Sequence, residues 1–93
     1  MATVLRIHPA DNVAVALSDV PAGTPLDLPD GVPLSFTARE AIPFGHKVAL
    51  VPIRAGEPVI KYGATIGLAT ANIVPGQHVH VHNLRSVRGS VQQ

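Results

Sequence analysis

The chain has 93 residues, a formal net charge of +1 and no cysteine. That length holds one small domain with a thin core, and the missing cysteines exclude disulfides, thiolate metal sites and a cysteine nucleophile. Acids and bases are interspersed, which argues against a nucleic-acid or anionic-membrane surface.

Residues 1–6, Met1-Ala2-Thr3-Val4-Leu5-Arg6, lack the layout of a signal peptide. No stretch is long and apolar enough to span a bilayer, so the expected setting is cytoplasmic and reducing. Short β-branched runs follow at 3–7, 13–17, 34–37, 47–51, 59–62, 66–69 and 79–83, separated by eight Gly and nine Pro. Short strands between Gly/Pro turns predict a mainly β domain without long helices. The only helical expectation is a single turn around Thr37-Ala38-Arg39-Glu40. Phe36, Phe44 and Tyr62 are the only aromatics, too few for a base-stacking platform. The expected domain covers 1–84, and the polar segment 85–93 reads as a flexible tail ending a natural short subunit.

One pattern recurs four times: an apolar residue, two spacers, Gly, two spacers and an apolar residue. It runs from Val20 through Gly23 to Leu26, from Ile42 through Gly45 to Val48, from Ile53 through Gly56 to Val59, and from Ile73 through Gly76 to Val79. The pattern predicts a reused tight turn, with Gly accepting positive φ, Pro pre-setting φ in the first two copies, and both apolar ends tucked into the core. Irregular spacing between copies excludes a solenoid.

Three places could carry chemistry. In His78-Val79-His80-Val81-His82-Asn83, strand alternation puts three histidines on one face and Val79 and Val81 on the other. Such a face could hold a metal or shuttle protons; it equally fits a solvated edge. In Gly45-His46-Lys47, an acid or base stands beside a fixed positive charge, a pairing suited to a carboxylate-bearing substrate; a plain surface dipeptide fits as well. In Val59-Ile60-Lys61-Tyr62-Gly63, strand alternation sends Lys61 and Tyr62 to opposite faces, and a snorkelling lysine is the alternative to a binding role. There is no P-loop, dinucleotide fingerprint or nucleophile elbow. Asp11, Asp19, Asp27, Asp30, Glu40 and Glu57 are scattered, without a paired-carboxylate pattern.

Four blocks in order resemble the N-terminal module of the altronate/galactarate dehydratase family. They are Arg6-Ile7-His8 followed by 11–17; Gly45-His46-Lys47-Val48-Ala49-Leu50; Val59-Ile60-Lys61-Tyr62-Gly63 with Ile66-Gly67; and Gly76-Gln77 followed by the histidine run to Asn83. The resemblance implies a SAF, or β-clip, fold. It implies a small accessory subunit or N-terminal module that completes the active site of a larger catalytic dehydratase-like subunit acting on a sugar acid, with no activity alone. It also implies a divalent metal, Fe2+ or Mn2+, in the assembled enzyme, which this chain need not bind by itself. By that resemblance His46 and Lys47 are catalytic, Lys61 and Tyr62 bind substrate, and His78, His80 and His82 are metal ligands. The galactarate branch is similar in its Gly-His-Lys block but not in the histidine run, which places this chain nearer the altronate or sulfolactate branch. Two alternatives are a small subunit of sulfolactate sulfo-lyase, which expels sulfite instead of water, and a non-catalytic SAF module binding small carboxylates. SAF domains also serve unrelated functions, so the fold alone does not decide between them.

Overall fold

The computed structural model describes residues 1–86. Nine short strands occur among the described residues: β1 (Ala2–Leu5), β2 (Val13–Ala16), β3 (Pro25–Asp27), β4 (Pro33–Thr37), β5 (Lys47–Ala49), β6 (Pro58–Lys61), β7 (Ala64–Ala69), β8 (His78–Val79) and β9 (Leu84–Ser86). Six form one sheet in the order β4-β3-β1-β2-β5-β8, and β6-β7-β9 form a second. Among the described residues, only β1 and β3 pair in parallel. The described residues contain no helix, in keeping with the mainly β expectation.

The turn repeat organises both cores. Gly23, Gly45, Gly56 and Gly76 all take φ between 80° and 89°. In each copy the residue after Gly donates its N–H to the carbonyl three residues back, at 2.9–3.2 Å. Positive φ at the third position is the requirement of a type II turn. Pro21 and Pro43 occupy the first position, not the φ-setting second one; Pro75 alone stands there. All eight apolar ends are at most 2% exposed, and burying each contributes about 1.5–3 kcal/mol. The copies join in pairs through isolated bridges, Val20 with Ile42 and Ile53 with Ile73.

The first pair of copies belongs to a core with Val4, Ala14, Ala16 and Ala38, and the second pair to a core with Val13, Ala49 and Ala69. Strands β2 and β5 form the wall between them. Ala14 and Val48 face one core, and Val13 and Ala49 face the other. Burial on both faces explains why β2 reads as an unbroken apolar run.

Four expectations need correction. The segment at Thr37–Glu40 is not helical, because its backbone is committed elsewhere: Ala38 exchanges bonds with Gly23 and Thr24, and Arg39 N donates to Gly76 O. Strand β3 went unpredicted because it is three residues long and begins with proline. Strand β9 extends to Ser86, so residues 85 and 86 are sheet, not tail; residues 87–93 of the predicted tail lie outside the described residues. The last predicted strand, at 79–83, is replaced by the two-residue β8 followed by a turn.

The turn geometry separates two costs of adding a methyl group. A Cβ at Gly23 meets nothing within 4 Å, whereas one at Gly76 collides with the Thr37 carbonyl oxygen. Gly23→Ala should therefore lower stability by the backbone strain alone, about 1–2 kcal/mol, and Gly76→Ala by clearly more. Equal losses in urea melts would contradict a packed fourth turn.

Candidate functional site

The histidines converge because turn and strand meet in register. Strands β5 and β8 pair Lys47 with Val79 and Val48 with His78. The next step places His46, just before β5, across from His80. Their ring centroids lie 4.3 Å apart. His46 Nδ1 and His78 Nε2 are 2.9 Å apart and share one proton, and the His78 ring stacks near both His46 and His80. Burial pushes His78 below the usual imidazole value, helped by the neighbouring His46, His82 and His80 and opposed by Glu40. His80 is lowered by desolvation and by His46, Lys47 and His82. His78 and His80 therefore favour their neutral forms.

Asn83 shapes the end of the run. It is buried, its Oδ1 accepts from His80 N, and its Nδ2 donates to His78 O. This turn ends the alternation. Val79 is fully buried, but Val81 is 81% exposed, contrary to its expected inward position. Two sets of three residues have donor atoms within 4.8 Å of one another among the described residues: His46-His78-His80 and Glu40-His78-His82. The run 78-80-82 is thus divided between two sets that share His78, and His46 joins the more sheltered one.

Lys47 and Lys61 are both half-buried. Burial, then the charge of Lys61, pushes the Lys47 ammonium below its ordinary value. Tyr62 lies beyond the end of β6 at φ 57°, a left-handed conformation that is unfavourable for an aromatic residue. Lys61 and Tyr62 do not diverge as strand alternation predicts: Lys61 Nζ sits 5.0 Å from the Tyr62 ring centroid, within cation–π range.

Asp11 holds this hairpin and was not singled out in the sequence. Its carboxylate accepts from Tyr62 N, Gly63 N and His8 N, and the His8 ring lies over Gly63. Neighbouring Asn12 binds β6 in a backbone-like manner, accepting from Ile60 N and donating to Pro58 O. Together they fasten the second sheet to β2. The signal was the Asp-Asn pair just before a strand, a common local-capping combination; its partners, some 50 residues away, left no trace in the sequence. Glu40 also went unnoticed; its carboxylate accepts from His78 N at 3.2 Å.

Residues 2–87 match the family described as the altronate/galactarate dehydratase SAF domain. The altronate dehydratase of Escherichia coli K12 is 44% identical over 89 residues, which cover 96% of this chain and 17% of that protein. The altronate dehydratase of Bacillus subtilis 168 is 36% identical over 92 residues, 99% of this chain and 18% of that protein. The chain thus spans less than a fifth of either enzyme. The (2R)-sulfolactate sulfo-lyase subunit alpha of Chromohalobacter salexigens is 38% identical over 87 residues, 88% of this chain and 93% of that subunit.

Desolvation raises the Asp11 pKa, but the backbone donors of Gly63, His8 and Tyr62 and the nearby His8 charge outweigh it, leaving the carboxyl below its ordinary value. Folded Asp11 therefore binds its proton less readily than unfolded Asp11. Its stabilising contribution is complete above the unfolded value and is lost as pH falls through the folded one. Asp11→Ala should cost about 2–3 kcal/mol at neutral pH, through stranded donors, and should flatten the acid side of the stability–pH curve. An unchanged acid slope in denaturant titrations would contradict this assignment.

Proposed function

This chain belongs to the altronate/galactarate dehydratase SAF domain family, and from that premise we propose that it is the accessory module of a hydroxy-acid lyase, completing the active site of a larger dehydratase-type catalytic chain. The observation that carries this reading is the meeting of His46, His78 and His80 beside Lys47, from segments 32 residues apart. Neither hydrophobic core includes these side chains, so packing does not account for the cluster. The substrate is a sugar acid, and the assembly works in the cytoplasm without nucleic acid or membrane.

Dehydrating such an acid removes the proton α to the carboxylate and expels the neighbouring hydroxyl as water. One group must take a proton and one must give a proton. His46 suits this work: His78 Nε2 holds its Nδ1, which leaves Nε2 for the substrate. Lys47 and Lys61 hold the carboxylate by charge, and Tyr62 flanks Lys61. An Fe2+ or Mn2+ ion held in the assembled enzyme would supply Lewis-acid stabilisation of the negative charge beside the carboxylate. The imidazoles of His46, His78 and His80 fit such an ion in donor type and spacing.

A second reading has its own support. The sulfolactate sulfo-lyase alpha subunit is matched over nearly its full length, so a separate small subunit that assists sulfite elimination is the alternative within the same architecture. Turnover of altronate, galactarate and sulfolactate by the reconstituted complex separates the two.

In that complex His46→Asn should lower kcat by about 10²–10⁴-fold, the usual contribution of a general acid or base, with subunit association intact. Lys47→Met should mainly raise KM if the lysine binds ground and transition states alike. Normal kinetics in the His46 variant, or enzyme-like turnover by this chain alone, would rule out the accessory active-site role.

A further inference from the structure

We propose that His46, His78 and His80 form a chelating site for a divalent transition-metal ion of borderline softness, and that this site is built by the small chain itself. The inference deepens the proposed function at the same cluster, and its own support is side-chain geometry. One donor nitrogen from each ring lies within 4.8 Å of the others. Metal–imidazole bonds of about 2.0–2.1 Å put neighbouring donors roughly 3 Å apart, and His46 Nδ1 and His78 Nε2 already stand 2.9 Å apart. The His80 donor lies within 4.8 Å of both, so closing the set brings it nearer by at most about 2 Å.

The backbone supports each ligand. His46 follows the second turn glycine, whose N–H donates to Ala16 O, while His46 N donates to Pro43 O. His78 lies in β8, paired with Val48. His80 N is tied to Asn83 Oδ1. These anchors reduce the ordering cost of bringing three side chains together. The donor set is all nitrogen, which suits zinc, iron, cobalt or nickel and excludes the oxygen-seeking calcium and magnesium. Three protein ligands leave room for water or an anionic co-ligand, and the Lys47 charge, which reaches His80, favours the anion.

The competing set, Glu40-His78-His82, shares His78, so one ion there excludes the first arrangement. The geometry favours the imidazole trio. The Glu40 carboxylate already accepts the His78 backbone N–H, and His82 is exposed, with its ring tilted 38° to His78. An ion in the trio replaces the proton shared by His46 and His78. Such an ion takes His46 Nδ1 and leaves Nε2 open, the atom that the proposed function gives to the substrate.

The test is titration of the full 93-residue chain near neutral pH, with Zn2+ by calorimetry and Co2+ by its visible absorption. The wild-type chain should bind one ion, with a Co2+ spectrum of low coordination number. His46→Ala and His80→Ala should each weaken binding by at least about 10–100-fold, the loss that even outer-shell changes produce. Glu40→Gln and His82→Ala should leave affinity unchanged. Circular dichroism keeps the comparison to folded variants, and His46→Asn replaces His46→Ala if the latter unfolds. Absence of saturable binding, retained affinity in a folded His46 variant, or loss in Glu40→Gln would each overturn the site. A His46-dependent lyase complex whose small chain binds no metal would overturn this inference and leave the catalytic reading standing.

Discussion

A backbone conformation that glycine takes without strain governs this fold. At the third position of four turns it lets the chain reverse within four residues and return both flanking apolar side chains to the interior. The fourth position then decides what each turn offers. In the first, Thr24 Oγ1 donates to Pro21 O; in the third, Glu57 Oε1 accepts from Arg54 N; in the fourth, Gln77 Oε1 accepts from Val74 N. Each of those side chains is spent on its own turn. In the second turn the residue is His46, and its ring is bonded to His78 instead. Three equivalent positions thus show what a structural residue does there, and His46 does something else.

The pairing of the turns extends this contrast. Asp19, just before the first copy, accepts from Phe44 N in the second; Asn72, just before the fourth, accepts from Ala55 N in the third. The two halves therefore repeat one clasp around the shared wall of β2 and β5. The histidine cluster grows from the end of that wall, where β5 pairs with β8. The Asp11-Asn12 clamp brings the β6–β7 hairpin to the same wall and with it Lys61, whose charge reaches Lys47. Imidazoles and ammonium groups thus gather on scaffolding whose own hydrogen bonds are satisfied: no buried side-chain polar atom among the described residues lacks a partner.

The β class was legible because Gly and Pro divide the chain into runs too short for helices, and the turn repeat identified eight core residues by spacing alone. Strands β3 and β9 were not legible, because neither has an apolar pattern of its own. Strand β9 depends on Gly67, where any Cβ would collide with the Arg85 carbonyl. The histidine run was visible as a motif, but strand alternation gave the wrong facing for Val81, because Asn83 closes a turn that alternation does not anticipate. The pairing of His46 with His78 spans 32 residues and depends on strand register, which composition and local spacing do not encode. For Lys61 and Tyr62, the sequence identified the residues but not their shared side, which follows from the left-handed Tyr62 that Asp11 holds in place.

The most direct measurement is a structure of this chain assembled with a dehydratase-type catalytic chain and a bound hydroxy acid. The His46, His78 and His80 rings should face the substrate cleft, with His46 within hydrogen-bonding reach of the substrate and Lys47 directed at its carboxylate. A complex in which the cluster lies on the outer surface, with the substrate enclosed by the larger chain alone, would contradict an active-site role for this domain.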